Sequence, residues 1–174
     1  MMHETAQDVA WLQDLLDRSY ERAGDHLRSI TTPPRRIPAG ELGPLLTGVQ
    51  IIDLATVTAR GEPRVGPVDG LFFRAHWYFS SAKSSLRYRN LMRNPNVSAA
   101  HTRGEEISIV VHGQAHPFGL DDPDQTQFKE YAYAVYVPLY GDDWLRFAKS
   151  PDIFYARIDP ATMFTFRMDK PTLP

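Results

Sequence analysis

The chain has 174 residues, 43% of them hydrophobic and 23% charged, a length and composition that suit one globular domain with a real core. A formal net charge of −2 argues against nucleic acid as the main partner. The lack of any cysteine excludes disulfides, thiolate metal sites and a cysteine nucleophile.

The first residues, MMHETAQDVAWLQDLL, do not set a basic segment before an apolar one, so they do not read as a signal peptide. No apolar run approaches the ~18 residues of a spanning helix, and a cytoplasmic protein without membrane contact is expected. Along residues 5–27, Val9, Leu12, Leu16, Tyr20, Ala23 and Leu27 recur at three- and four-residue steps. That spacing predicts one amphipathic helix, capped by Thr5 with Asp8 and weakened at its far end by Gly24. Its stripe is expected to pack on the domain or on a second subunit. Residues 29–40 hold Pro33, Pro34 and Pro38 and read as a linker with neither helix nor central strand.

From residue 49 the pattern becomes that of strands. Residues 49–58, 64–73 and 76–81 form a predicted meander, with turns at Ala59-Arg60-Gly61-Glu62 and Arg74-Ala75. A helix over 84–93 ends at Asn94-Pro95-Asn96. Strands over 97–102 and 106–117 follow, joined at Gly104-Glu105. A helix is predicted over 121–135, opened by Asp122-Pro123. Then come a loop at Pro138-Leu139-Tyr140-Gly141, a short helix over 142–148, and two strands over 153–158 and 163–168 about an Asp159-Pro160 turn. About seven mostly antiparallel strands with inserted helices suggest an α+β, mainly β chain whose sheet closes into a barrel and so removes its edges. One domain over 1–174 is expected, with helix and linker in 1–40 and the barrel in 45–170.

Protein-based chemistry is hard to find. His112 and His116 are four apart, but Val110-Val111 and Pro117 place them on a strand, where four residues span roughly 13 Å, too far for one ion. His101 and His112 read instead as polar groups at a cleft rim or a dimer contact. No nucleophile elbow, dinucleotide fingerprint or phosphate loop is present. Glu105-Glu106 and Asp142-Asp143 read as caps and solvated charge. No catalytic side chain and no metal site emerge, so an enzyme reading requires a cofactor. Tyr131, Tyr133, Tyr136, Tyr140 and Trp144 read as core, or as a lid over a flat substrate.

Residues 77–97 say most. A strand, Trp77-Tyr78-Phe79-Ser80-Ser81, leads to Ser84 and Ser85 and a basic helix bearing Arg87, Arg89 and Arg93. Hydroxyls, backbone N–H groups and a guanidinium are what a phosphate monoester needs. A surface helix with solvated arginines explains the same residues equally well.

Four motifs in order add to this: Arg64-Val65-Gly66-Pro67-Val68; Tyr78-Phe79-Ser80-Ser81-Ala82-Lys83-Ser84-Ser85-Leu86-Arg87; Arg89-Asn90-Leu91; and Asn94-Pro95-Asn96-Val97-Ser98. Their order and spacing resemble the pyridoxamine 5′-phosphate oxidase-like family of FMN-binding split barrels, over residues 45–117 and loosely beyond. The resemblance implies an antiparallel split β-barrel of six to seven strands with an N-terminal helix. It also implies a homodimer with flavin at its interface, and hydride transfer between FMN and a small organic substrate or nicotinamide. By position, Arg64 and Val65 would contact the flavin ring or ribityl chain, with Val68 on the same strand. Phe79, Ser80 and Ser81 would hold the isoalloxazine edge and chain. Ser85 and Arg87 would bind the phosphate, helped by Lys83, and Ser108 would reach in from the second subunit.

Two residues depart from the pattern. Leu86 stands where the family carries a second phosphate cation. Asp69 stands where pyridoxamine-phosphate oxidases carry a lysine, so vitamin B6 oxidation itself is not expected. The wider superfamily leaves two alternatives: a deazaflavin-dependent reductase, or a non-catalytic flavin, haem or tetrapyrrole module with His101 and His112 as axial ligands.

Overall fold

The computed structural model describes residues 3–168. Helix α1 (Ala6–Glu21) starts at the expected cap: Asp8 N–H donates to Thr5 Oγ1 at 3.1 Å, and Thr5 N–H donates to the Asp8 carboxylate at 2.8 Å. It buries Leu12, Leu15, Leu16, Ser19 and Tyr20. The helix expected over 5–27 is in fact two. Gly24 is extended (φ −68°, ψ 159°) and caps a separate helix, α2 (Asp25–Ile30), so Leu27 leaves the stripe and is only half-buried. The prolines of 29–40 also prove compatible with short helices. Pro33–Arg35 is a 3₁₀ turn with proline in its first positions, and α3 (Ala39–Leu45) begins directly after Pro38.

Six strands follow: β1 (Gln50–Val57), β2 (Pro63–Phe73), β3 (His76–Ala82), β4 (Asn96–Arg103), β5 (Ile107–Phe118) and β6 (Ile153–Arg167). They close in the order β1-β2-β3-β6-β5-β4, every pair antiparallel. The two strands expected after residue 152 are one. Asp159-Pro160 is no turn but lies within β6, opposite a register shift at His112/Gly113 that absorbs one extra residue. Only glycine fits at 113, because a Cβ there would lie 2.1 Å from the Asp159 carbonyl oxygen.

Inward side chains of the barrel, among them Ile52, Leu54, Phe72, Trp77, Phe79, Val111 and Ile158, form one core with α1 and α3. Hydroxyls tie α1 to β6: Met163 N–H donates to Ser19 Oγ at 3.0 Å and Thr165 N–H donates to Tyr20 Oη at 2.8 Å. Strand donors beyond the reach of β3 are satisfied in this way. A second core lies on the outer face, where Leu71, Phe73, Tyr78 and Tyr155 meet α5 (Thr126–Ala148). Helix α5 follows a 3₁₀ turn at Pro123–Gln125, and the expected loop at 138–141 is helical up to a sharp kink at Gly141 (φ 56°, ψ −136°). Asp122 stands at the N-cap of that 3₁₀ turn but makes no side-chain cap bond there; its carboxylate accepts from Gly119 N–H at 2.9 Å. Among the described residues no helix is long and apolar enough to cross a membrane.

Candidate functional site: a half-buried arginine across the barrel's split

β1 pairs with β2 along its whole length, from Gln50↔Gly70 to Val57↔Pro63. β3 pairs with β2 only over Gly70–Phe73. It pairs with β6 from Trp77 on, and beyond Phe79 with β6 alone, Ser80, Ser81 and Ala82 standing opposite Tyr155, Phe154 and Ile153. The sheet therefore parts between residues 63–69 of β2 and the end of β3. Helix α4 (Leu86–Leu91), shorter than the expected 84–93, sits at that opening, and its cap residue Ser85 accepts from Tyr88 N–H at 3.1 Å.

Buried Leu91 and Asn90 anchor α4. Asn90 Nδ2 donates to Thr56 Oγ1 of β1 at 3.0 Å, and Tyr88 rests on Phe154 with ring centroids 4.8 Å apart. Arg87 is thereby laid across the split. Its Nη1 donates to Ser81 Oγ at 3.1 Å and its Nη2 reaches the Gly66 carbonyl oxygen at 3.4 Å. Ser85 Oγ lies 3.5 Å from Ser81 Oγ. No carboxylate hydrogen-bonds Arg87 among the described residues, and burial pushes its guanidinium below its usual pKa. A half-buried cation facing two hydroxyls and one carbonyl, with guanidinium donors to spare, is a site built for an anion.

Three of the residues expected at the site meet here: Ser81, Ser85 and Arg87. Ser80 is next to them, half-buried. Residues directly opposite on paired strands share a face, so buried Ile52, Leu54 and Thr56 put Val68, Gly66 and Arg64 on the inner side of β2. Val68 packs on the core there, and Arg64 reaches Glu62 at 2.8 Å. Val65 points the other way and is 71% exposed. The Phe79 side chain lies within the core, 2% exposed. Lys83 turns away, its Nζ donating to the Pro151 carbonyl at 2.7 Å. Ser108 sits on β5, across the closed strand order from β2, and does not join the cluster within one chain. Sequence reasoning missed the Gly66 carbonyl and the Asn90–Thr56 bond; a single asparagine between Arg89 and Leu91 was the available signal.

Elsewhere, His101 is buried with both ring nitrogens engaged. Its Nδ1–H donates to the Ile51 carbonyl at 2.9 Å, a tautomer set by Arg103 Nε donating to Nε2 at 3.3 Å. His112 is exposed, 2.7 Å from Ser98 Oγ, in an open cavity of about 550 Å³ that also takes in His116 and Asp159. Among the described residues no three metal-ligating side chains converge. Of the tyrosine-rich group, Tyr131, Tyr136 and Trp144 are buried in the second core, with Tyr136 and Trp144 stacked at 5.1 Å, while Tyr140 is 53% exposed beside the kink.

No family model matches the sequence, and no curated protein does. Solved structures do. The conserved hypothetical protein Rv2991 from Mycobacterium tuberculosis is 17% identical with a TM-score of 0.66, the match covering 82% of this chain and 92% of that one. An FAD-binding protein from Mesorhizobium loti is 22% identical, TM-score 0.58, over 78% of this chain and 98% of its own. HutZ, the heme storage protein from Vibrio cholerae, is 19% identical, TM-score 0.59, over 74% and 92%. With a putative pyridoxamine 5′-phosphate oxidase from Listeria innocua and an F420 reductase also among the matches, the chain has the fold of the pyridoxamine 5′-phosphate oxidase-like split barrels.

Proposed function

We propose that this chain is an oxidoreductase that holds an isoalloxazine-type cofactor, FMN or a deazaflavin or dinucleotide relative of it, by a phosphate group at Arg87, Ser81 and Ser85. The observation that carries the reading is the half-buried Arg87 guanidinium with no acidic partner among the described residues. Such a cofactor supplies reversible hydride transfer with a small organic substrate or nicotinamide. The chain's own residues bind and orient. Arg87 would neutralise the phosphate and the two serine hydroxyls would donate to its oxygens, while Asn90 with Thr56 holds α4 so that Arg87 stays across the split. Arg64 and Val68 share the inner side of β2 with Gly66. No side chain of the cluster is poised as a nucleophile or general base, which suits a protein that positions reactants rather than reacting itself.

The working form in this reading is a cytoplasmic homodimer with the cofactor at its interface. Two features support a second subunit. Ser108 stands across the barrel from the cradle of its own chain, and Ile51 and Val65 leave apolar surface open on the outer face of β1 and β2, 55% and 71% exposed. Haem binding is a second reading, favoured by His112 at its open cavity but not by His101, whose nitrogens are spent.

Titration of the purified protein with FMN, FAD and F420, followed by cofactor fluorescence, tests the proposal. Saturable binding of at least one, weakened by loss of Arg87, is expected. A protein that takes up none of them, yet shows a Soret band with haem, overturns it.

A further inference from the structure

We propose that the cradle selects a cofactor whose phosphate carries one negative charge, a phosphodiester, over the doubly charged phosphate of FMN. This rests on the isoalloxazine reading above and names the charge state that the site was built for.

Arg87 is the cation that reaches Ser81 and Gly66. The neighbouring position in α4, where a second cation would stand beside it, is Leu86, apolar and 46% exposed. Lys83 is held on the Pro151 carbonyl at 2.7 Å, and Arg64 is matched by Glu62 at 2.8 Å. The remaining partners, Ser81, Ser85 and the Gly66 carbonyl, are neutral. Among the described residues the cradle thus offers one positive charge in a place partly withdrawn from water.

Attraction to a single cation grows in proportion to the ligand's charge, whereas the cost of taking the ligand out of water grows with the square of that charge. One charge is therefore matched, and a second is left dehydrated without a partner. A phosphate monoester loses its second proton near pH ~6 and is a dianion at neutrality, while a diester stays singly charged throughout. Two cofactor types supply such a group on an isoalloxazine-type ring: a dinucleotide, whose linked phosphates each carry one charge, and a deazaflavin joined to its tail through a phosphodiester.

The test compares FMN with its phosphate monomethyl ester, which keeps ring and chain and removes one charge, using riboflavin as the phosphate-free reference. Fluorescence titrations at about pH 7.5 should show the methyl ester binding roughly three- to tenfold more tightly than FMN, and both more tightly than riboflavin. At about pH 5.5, where FMN has taken up its second proton, the gap should close. Leu86→Arg, an exposed substitution that restores a second cation, should reverse the order at the higher pH. Titrations with FAD and F420 then identify the source, since the one that exceeds FMN carries the diester the site accepts. Equal affinities for FMN and its ester near pH 7.5, or FMN the tighter, overturn the inference. If riboflavin, FMN, the ester, FAD and F420 all fail to bind, it is the isoalloxazine reading that falls.

Discussion

Replacing Arg87 with Met keeps most of the apolar stem of the side chain and removes its charge. In the ligand-free protein the change removes two hydrogen bonds, one of 3.1 Å to Ser81 and a long one of 3.4 Å to Gly66. Bonds from a charged donor contribute about 1.5–3 kcal/mol each at best, and the longer one falls well below that. Against this stands the desolvation of a half-buried guanidinium that no carboxylate compensates, a cost of similar size and opposite sign. Stability should therefore change by no more than about 1 kcal/mol, which for a chain of this length is about 2–4 °C in Tm. Phosphate binding loses a charge-assisted contact worth about 1.5–3 kcal/mol, or roughly 10- to 150-fold in Kd.

The assay pairs thermal unfolding without ligand with fluorescence titrations of FMN and riboflavin. Arg87→Met should hold Tm, weaken FMN and leave riboflavin unchanged, because riboflavin has no phosphate. A Tm lowered by more than about 8 °C with FMN affinity intact would show that Arg87 is a strut bracing the split, and the anion site would be refuted.

Two further outcomes follow from the same region and from α1. Asn90 Oδ1 is buried without a partner and its Nδ2 relies on Thr56, so Thr56→Val should destabilise by about 1–3 kcal/mol, while adding Asn90→Leu should recover much of that loss. Additive urea-denaturation losses in the double variant would contradict this pairing. Asp8 sits below the usual carboxylate range: burial alone would raise it, but the bonds from Arg74 and Thr5 outweigh that. A depressed folded value means its contribution is present above the unfolded pKa of ~3.9 and is lost as pH falls through the folded value. Asp8→Asn should therefore flatten the drop in urea midpoint below about pH 4, and an unchanged acid limb would refute the assignment.

How much of this was legible in the sequence depends on how local each feature is. Ser81, Ser85 and Arg87 lie within seven positions on a strand, a turn and one helical turn, so their convergence is nearly a property of the segment itself. The Gly66 carbonyl and Thr56 come from strands whose register no local pattern encodes, and the site's depth depends on both. Inner and outer faces of β2 could be told apart only once β1 was known to lie beside it, which is why Val65 was grouped with Arg64 although the two point opposite ways. Lys83 is equally non-local: its charge suits a phosphate, yet within the chain its Nζ donates to the Pro151 carbonyl. The misreadings of the fold have the same cause. Pro160 signals a break to any local rule, and only the extra residue accommodated opposite Gly113 lets β6 run through it. At Gly24 a residue read as a mere weakening takes an extended conformation and caps a separate helix, α1 having stopped at Glu21.

β6 also sets the order of events during synthesis. It is the sixth strand in the chain, yet it is the one that joins β3 to β5 and so seals the cylinder. Until residues 153–167 have been made, β3 and β5 both present unpaired ladders, with α5 lying in sequence between β5 and the missing strand. The nascent protein is thus an open, curved sheet with two adhesive borders, a state in which self-association competes with folding. Closing it brings together residues about a hundred positions or more apart, as between Ser19 or Tyr20 and the 163–165 segment, which places this barrel among slow-folding topologies. A C-terminal truncation into β6 would leave that open form as the end product.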